Sequence, residues 1–275
     1  MFLKKIFNIS TAIVTLRLLV ACAAPTAVPT PQTSPTPLVM PIGSDTEWRL
    51  VVIGDSSLWG LGEAYASQIE KDLGVKVNVD DFALPNLSAG SVLGALHTGK
   101  SPNMRLEQLP KAVRDAEVVV MFVNPLDSVD PAIPLNFEGC FGCAAPQACE
   151  TEAFAKYTAD MSAIWAKIIE LRAGQPTILR ATDLYNPLVE QWNSCDIFAA
   201  CEACWGNLSA AARQAAQAFN IPFLSRFDAF GGEDHIEDPR EKGYIRDDGE
   251  HPTELAGQFT AELLAKMGYE PLTLP

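Results

Sequence analysis

The sequence predicts an α/β domain of three layers, in which helices cover both faces of a parallel sheet. Short runs of β-branched and other apolar residues alternate along the chain with longer segments of helical periodicity. These runs are apolar throughout rather than at alternate positions, which is typical of strands buried on both faces. With 275 residues, of which 48% are hydrophobic, the chain can bury one sizeable core.

The predicted elements follow one another in the order that this architecture requires. The first strand covers residues 48–53, and further strands are expected over 75–79, 117–123, 177–180 and 221–224. Helices are expected over 62–73, 91–97, 105–114, 152–173 and 206–219. A last helix begins near Thr253, a good N-cap residue, and closes at Gly268. We therefore assign residues 46–275 to one folded domain.

The N-terminal region has the features of an export signal. Residues 1–21 contain an early Lys pair and an apolar stretch, and the segment ends in Leu19-Val20-Ala21-Cys22. This ending resembles the bacterial lipoprotein signal, which implies that Cys22 carries lipid at the outer face of the cell membrane. Residues 22–45 would then be a Pro- and Thr-rich tether. A cleaved signal that leaves a secreted protein is the alternative.

The formal net charge of −14 is spread along the chain. Binding to a phosphate backbone needs a surface of Lys and Arg, so nucleic acid is not an expected partner. An anionic membrane repels an acidic protein, which favours a covalent anchor at Cys22 over electrostatic attachment.

A serine follows the first predicted strand, and an Asp–His pair precedes the last predicted helix. Ser56 comes at a strand-to-helix turn whose backbone N–H groups can face an oxyanion, and Asp55 is expected to organise that turn. Asp248 lies three residues before His251 on one tight turn, where its carboxylate can accept from the imidazole and fix its tautomer. The pattern predicts a catalytic triad, with Asp247 and Glu250 as alternative acids.

The chain has three histidines that could serve as the base. His97 lies in a helical pattern, where a surface or packing role is expected. His235 lies in the acidic segment 233–238, which is expected to be a solvated loop, with a cation site as the alternative. His251 is therefore the better base.

These motifs resemble those of the SGNH hydrolases, also called the GDSL esterase and lipase family. Gly54-Asp55-Ser56 with Gly60 matches the first sequence block of the family, and Asp248-x-x-His251-Pro252 matches its last. The resemblance covers about residues 48–268 and implies a flavodoxin-like five-stranded parallel sheet with adjacent first and third strands. It also implies that no cofactor and no metal take part.

The resemblance further implies three oxyanion donors, namely the N–H groups of Ser56 and Gly90 and the side-chain amide of Asn124. Gly90 best matches the second block of the family. Asn124 matches the third, but Phe122 replaces its Gly and Pro125 replaces its Asp, so the turn is expected to differ. The segment 183–187 also resembles the family, without an assigned role.

The activity implied by the resemblance is hydrolysis of a carboxylic ester outside the cell, with Ser56 as nucleophile. The expected substrate is a small-molecule or carbohydrate ester, and the protein is expected to be a monomer. Two alternatives remain open at this point. One is acyl transfer by the same triad, and the other is a surface binding module on a hydrolase fold.

Six further cysteines form two clusters of mirrored spacing, which are Cys140, Cys143 and Cys149, and Cys195, Cys201 and Cys204. An even number in an exported chain predicts three disulfides, and the mirrored spacing indicates links between the clusters. A zinc site is the alternative.

Both clusters fall in segments expected to be long loops, 124–149 and 183–205, at the ligand-binding edge of the sheet. We therefore expect a cross-linked lid or pocket wall beside Ser56, although a staple remote from the substrate is the alternative. Trp59, Trp192 and Trp205 are candidates for its apolar lining or for core packing.

Overall fold

The computed structural model of the protein describes residues 40–41, 46–85, 87–123, 125, 138–146, 149 and 154–273. The predicted signal peptide, Cys22 and nearly all of the predicted tether lie outside these residues, as does Asn124. No helix in the described ranges is long and apolar enough to cross a bilayer.

Five parallel strands form the main sheet. In chain order the strands are β1 (Met40–Pro41), β2 (Glu47–Gly54), β3 (Lys76–Ala83), β4 (Val118–Phe122), β5 (Ile178–Thr182), β6 (Phe223–Leu224) and β7 (Leu272–Thr273). The main sheet has the order β3-β2-β4-β5-β6, while β1 and β7 form a separate parallel pair. This is the flavodoxin-like order implied by the sequence motifs, so the predicted fold class is confirmed.

Helices cover both faces of the main sheet. They are α1 (Leu61–Leu73), α2 (Ala89–Thr98), α3 (Leu109–Asp115), α4 (Glu138–Phe141), α5 (Ala155–Arg172), α6 (Val189–Ser194), α7 (Phe198–Gln217), α8 (Arg226–Gly231) and α9 (Glu254–Lys266). α1 packs against α9, and α5 packs against α2, α3 and α7. The chain moves outward from β2 to β3 and then back past β2 to β4. Right-handed crossovers therefore put α1, with α9 packed against it, on one face and α2, α3, α5 and α7 on the other.

The central strand β4 lies at the centre of the core. All five of its residues are buried, as expected for a parallel strand covered on both faces. Burying one Val side chain of this kind stabilises the fold by about 2 kcal/mol. The continuous apolar run that predicted the strand is thus also the source of its stability.

The segment 183–205 contains more helix than the sequence predicts. α6 lies within it, and α7 begins at Phe198 rather than near residue 206. The buried face of α7 includes Cys201, Cys204 and Leu208, at helical spacing. This pattern appears only when cysteine is counted as a small apolar residue, which is how it packs in cores.

The two cysteine clusters are linked to each other by three disulfides. The pairs are Cys140–Cys201, Cys143–Cys195 and Cys149–Cys204. Each pair joins the first cluster to the second, as the mirrored spacing predicts. All six sulfur atoms are used in disulfides rather than as zinc ligands.

Replacing Cys140 and Cys201 together with Ala should destabilise the protein more than replacing Cys143 and Cys195. The two disulfides close loops of similar length, with sequence separations of 61 and 52. Chain entropy in the unfolded state accounts for about 4 kcal/mol in each case. Cys140 and Cys201 are also fully buried, so replacing them leaves a cavity as well, whereas Cys143 is exposed. Urea unfolding measures both losses, and equal losses would contradict this account.

Candidate active site

Ser56 opens the short 3-10 helix Ser56–Leu58 that follows β2. The buried side chain of Asp55 accepts from the N–H of Ser57 at 2.7 Å, and its carbonyl accepts from the N–H of Leu58 at 3.1 Å. Asp55 therefore organises the turn, as the sequence predicts. Ser56 itself is only partly buried, at the carboxyl end of β2.

Asp248 and His251 belong to a tight turn that precedes α9. Oδ1 of Asp248 accepts from the N–H groups of Glu250 and His251, both at 2.9 Å. Gly249 has a φ of +80°, in the left-handed region that a residue with a Cβ enters only with strain. The N–H of Arg246 donates to the carbonyl of His251 at 2.9 Å and closes the turn. The backbone thus holds Asp248 beside His251.

The three side chains of the predicted triad form one hydrogen-bonded chain. Nε2 of His251 lies 3.1 Å from Oγ of Ser56, and Nδ1 lies 3.0 Å from Oδ2 of Asp248. The backbone N–H groups of His251 and Glu250 hold the pKa of Asp248 down to about 2, so its carboxylate is ionised and can only accept. Nδ1 therefore carries the proton, and Nε2 of the neutral imidazole can accept from the hydroxyl of Ser56. Asp248, rather than Asp247 or Glu250, is thus the acid on the ring nitrogen.

Close packing of α9 on the start of α1 brings the two turns together. A Cβ atom at Gly257 in α9 would lie 2.8 Å from the carbonyl oxygen of Gly60, the N-cap of α1, so only glycine permits this approach. Because α9 follows the His251 turn and α1 follows Ser56, the contact keeps Nε2 within reach of Oγ. The sequence motifs include Gly60, but nothing in the sequence pattern singles out Gly257.

A buried network of polar and charged groups lies behind Ser56. Arg226 donates from Nη1 to the carbonyl of Ser57 at 2.6 Å and from Nε to the carbonyl of Asp183 at 2.7 Å. The carboxylate of Asp183 accepts from two serine hydroxyls and two backbone N–H groups. Burial raises the pKa of Asp183 and lowers the pKa of Arg226. The network gives Asp183 a structural role that the sequence resemblance left unassigned.

The segment 183–205, called here the disulfide-linked region, carries the second cysteine cluster and contacts the His251 turn through Tyr185. The hydroxyl of Tyr185 donates to the carbonyl of Glu250 at 2.8 Å, and the indole N–H of Trp205 donates to the carbonyl of Tyr185 at 3.2 Å. Trp205 and Trp192 are fully buried, with ring centroids 5.3 Å apart in an edge-to-face contact. These two indoles therefore pack inside the region. The lid function expected from the sequence stays a prediction.

Of the two predicted oxyanion donors other than Ser56, the structure describes Gly90 but not Asn124. Gly90 is exposed in the first turn of α2, where Ser88 is the N-cap. A Cβ atom at Gly90 would meet no atom within 4 Å. Asn124 lies outside the described residues, so its contribution stays a prediction.

The other two histidines lie in different settings from His251. His97 is exposed on α2. The ring nitrogens of His235 lie 2.9 Å from a carboxylate oxygen of Glu202 and 3.0 Å from one of Asp228. Among the residues that the structure describes, no group of three His, Cys, Asp or Glu side chains is placed to hold a metal ion.

Replacing Arg226 with Met should destabilise the protein by about 3–5 kcal/mol, because it removes the buried positive charge near Asp183 and leaves the carbonyls of Ser57 and Asp183 without their guanidinium donors. Arg213→Met is the matched control, since this guanidinium is partly exposed and lies 3.6 Å from Asp228. Its loss should cost less than about 1 kcal/mol. Urea unfolding compares the two variants, and similar stabilities would show that the network contributes little.

Comparisons with known proteins identify the fold. Neither a protein-family model nor a curated protein sequence matches the chain. The structure is similar to that of a lipase from a goat rumen metagenome, with a TM-score of 0.55, 21% sequence identity, and coverage of 81% of this chain and 98% of that one. For a lipase/acylhydrolase from Enterococcus faecalis the TM-score is 0.52 and the identity 13%, with 83% and 98% of the two chains covered.

An acetyl xylan esterase from Geobacillus stearothermophilus is also similar, with a TM-score of 0.50, 11% identity, and coverage of 81% of this chain and 95% of that one. At these identities the similarity establishes the fold rather than the activity. The chain therefore has the fold of these lipases and esterases, the SGNH hydrolase fold that its sequence motifs imply.

Proposed function

We propose that the protein is a serine esterase that hydrolyses carboxylic esters through Ser56, His251 and Asp248. The observation that supports this most strongly is the hydrogen-bonded chain of the three side chains, with links of 3.1 and 3.0 Å. It occupies the carboxyl end of β2, beside β4, where open α/β sheets bind ligands. Similar folds in lipases and esterases agree with this proposal.

The reaction begins when Nε2 of His251 takes the hydroxyl proton of Ser56 and Oγ attacks the ester carbonyl. Asp248 stabilises the imidazolium that forms, because its carboxylate is already ionised and faces Nδ1. His251 then gives the proton to the leaving alcohol oxygen, and the acyl group remains on Ser56. Water attacks this acyl-enzyme with His251 again as base, which releases the acid and restores Ser56.

The negative charge on the carbonyl oxygen needs donors that are in place before the reaction. We assign this role to the N–H groups of Ser56 and Gly90 and to the side-chain amide of Asn124. Gly90 lies in the first turn of α2, where backbone N–H groups have no acceptor within the helix. Its N–H is therefore free of an intrahelical hydrogen bond.

We infer that the substrate is a small acyl or acetyl-carbohydrate ester. A groove of about 860 Å³ has a lining that is partly apolar and partly polar, and its polar residues include Glu190, Asn193, Arg240 and Lys242. Arg240 donates to the carbonyl of Gly249 at 3.3 Å, which connects the groove to the turn. Hydrogen-bonding side chains of both charges suit an alcohol component rich in hydroxyl groups.

We also propose that the protein is exported and held at the outer face of the membrane by lipid on Cys22. The motif Leu19-Val20-Ala21-Cys22 supports this location. Three disulfides support export but not the lipid anchor, because disulfides persist mainly in oxidising compartments.

Ser56→Ala and His251→Ala should each lower kcat for p-nitrophenyl acetate and butyrate by about 10⁴-fold or more. Asp248→Asn should also lower kcat strongly, because it removes the acceptor that fixes the tautomer of His251. Ser67→Ala and His97→Ala are matched controls at exposed helical positions and should retain the activity.

Labelling by a fluorophosphonate should require Ser56 in the same way. Hydrolysis and labelling that survive in Ser56→Ala would contradict the assignment of the nucleophile. A disulfide-intact protein with neither turnover nor labelling would favour the binding module instead. Product formation that shifts from the acid to an ester of an added alcohol would favour acyl transfer.

Gly90→Pro should lower kcat by about 10²- to 10³-fold, because it removes one oxyanion donor. Proline is tolerated in the first turn of a helix, and a Cβ atom at this position meets no atom within 4 Å. Gly90→Ala keeps the N–H and should retain most of the activity. Similar rates for the two variants on p-nitrophenyl acetate would remove Gly90 from the oxyanion hole.

A further inference from the structure

The indole of Trp59 is stacked on the imidazole of His251. The two ring centroids are 4.7 Å apart and the ring planes differ by 13°. Trp59 is partly buried, and its indole N–H donates to the carbonyl of Ala83 at 3.1 Å, at the end of β3. Trp59 therefore bridges the edge of the sheet and the proposed catalytic base.

We propose that Trp59 is a positioning residue that holds the imidazole plane of His251, so that Nε2 stays aimed at Ser56 and Nδ1 at Asp248. This inference rests on the proposed esterase function and assigns a role within the same site. It differs from the triad assignment because Trp59 acts through His251 and takes no part in proton transfer.

The position of His251 explains why such a residue is needed. Its side chain is 26% exposed and that of Asp248 is 47% exposed, so water can compete for both ring nitrogens. The terminal torsion of a histidine side chain has a broad energy minimum, and the hydrogen bonds to Asp248 and Ser56 still allow the ring plane to tilt about the line through its two nitrogens. A flat surface against the ring removes this freedom without adding another polar partner.

Trp59 is itself held in place from two directions. Besides the hydrogen bond to Ala83, the guanidinium of Arg246 lies 5.6 Å from its ring centroid. Arg246 also donates from Nε to the carbonyl of Pro252 at 2.8 Å and from its N–H to the carbonyl of His251 at 2.9 Å. The indole is therefore attached both to β3 and to the turn that carries the base.

The stack also acts on the charge that appears during the reaction. His251 is neutral before it takes the proton of Ser56 and positive afterwards, and the face of an indole attracts a cation. The interaction strengthens as the transition state forms, so it lowers the barrier rather than only improving binding. A contact of this kind corresponds to about a threefold to thirtyfold rate effect.

We expect Trp59→Leu to lower kcat for p-nitrophenyl acetate by about tenfold to hundredfold, with little change in KM. The rate of fluorophosphonate labelling of Ser56 should fall by a similar factor, since labelling needs the same base but no bound ester. Trp59→Phe keeps an aromatic face and should retain most of the activity. Phe223→Leu is the matched control, because Phe223 is also a partly buried aromatic residue near a guanidinium, that of Arg213 at 4.9 Å.

Proton NMR distinguishes positioning from packing, because the chain has three histidines and the Nδ1 proton of His251 is held by Asp248. The downfield resonance of this proton should be sharp in the wild type and in Trp59→Phe. In Trp59→Leu it should be broadened by exchange with water. Thermal unfolding checks that Trp59→Leu is still folded.

Unchanged kcat and labelling in Trp59→Leu would overturn the inference. The inference would also be overturned if Trp59→Phe and Trp59→Leu lowered kcat equally and both lost stability. That result is expected when Trp59 contributes only to packing. Failure of the esterase proposal is recognised separately, by a wild type whose turnover does not depend on Ser56.

Discussion

The hydrogen bond between Ser56 and His251 joins two turns that are 195 positions apart in the chain. Its length depends on how closely α9 approaches α1, and that approach is set by the contact of Gly257 with the carbonyl of Gly60. A side chain at Gly257 would push the helices apart and move the base away from the nucleophile. Steric fit between two helices thus controls the geometry on which the proposed chemistry depends.

The nucleophile turn is held by buried hydrogen bonds in addition to the apolar packing of Leu58 in the core. Arg226 reaches the Ser57 carbonyl from a fully buried position, and Asp183 is saturated with hydrogen-bond donors. Burying such groups is costly, so a complete network of partners is required. In return, the turn is fixed by directional hydrogen bonds, which define the position of Ser56 more closely than apolar contacts would.

The disulfide-linked region is coupled to the same site from a third direction. Its buried core contains two indoles, and one of them reaches the His251 turn by way of Tyr185. Cross-links restrict the unfolded chain, and the buried residues of this region belong to the main hydrophobic core. The turn that carries Asp248 and His251 is therefore braced by Tyr185 on one side and by Trp59 on another.

The sequence by itself determined the features that depend on local order. Continuous apolar runs specified parallel strands, helical periodicity specified most of the helices, and two short motifs located Ser56, Asp248 and His251 in turns. These signals are local because strand burial, helix faces and tight turns each leave a pattern within a few neighbouring residues.

Only the tertiary structure decided which cysteines pair, which glycine permits α9 to approach α1, and which buried arginine supports the nucleophile turn. It also placed Trp59 on His251, although in the sequence Trp59 could equally have been part of the core. The sequence predicted too late a start for α7, because cysteines occupy part of its apolar face and were not counted as apolar residues. Contacts between distant segments leave no periodic signature, since they depend on how the layers pack rather than on the order of residues along the chain.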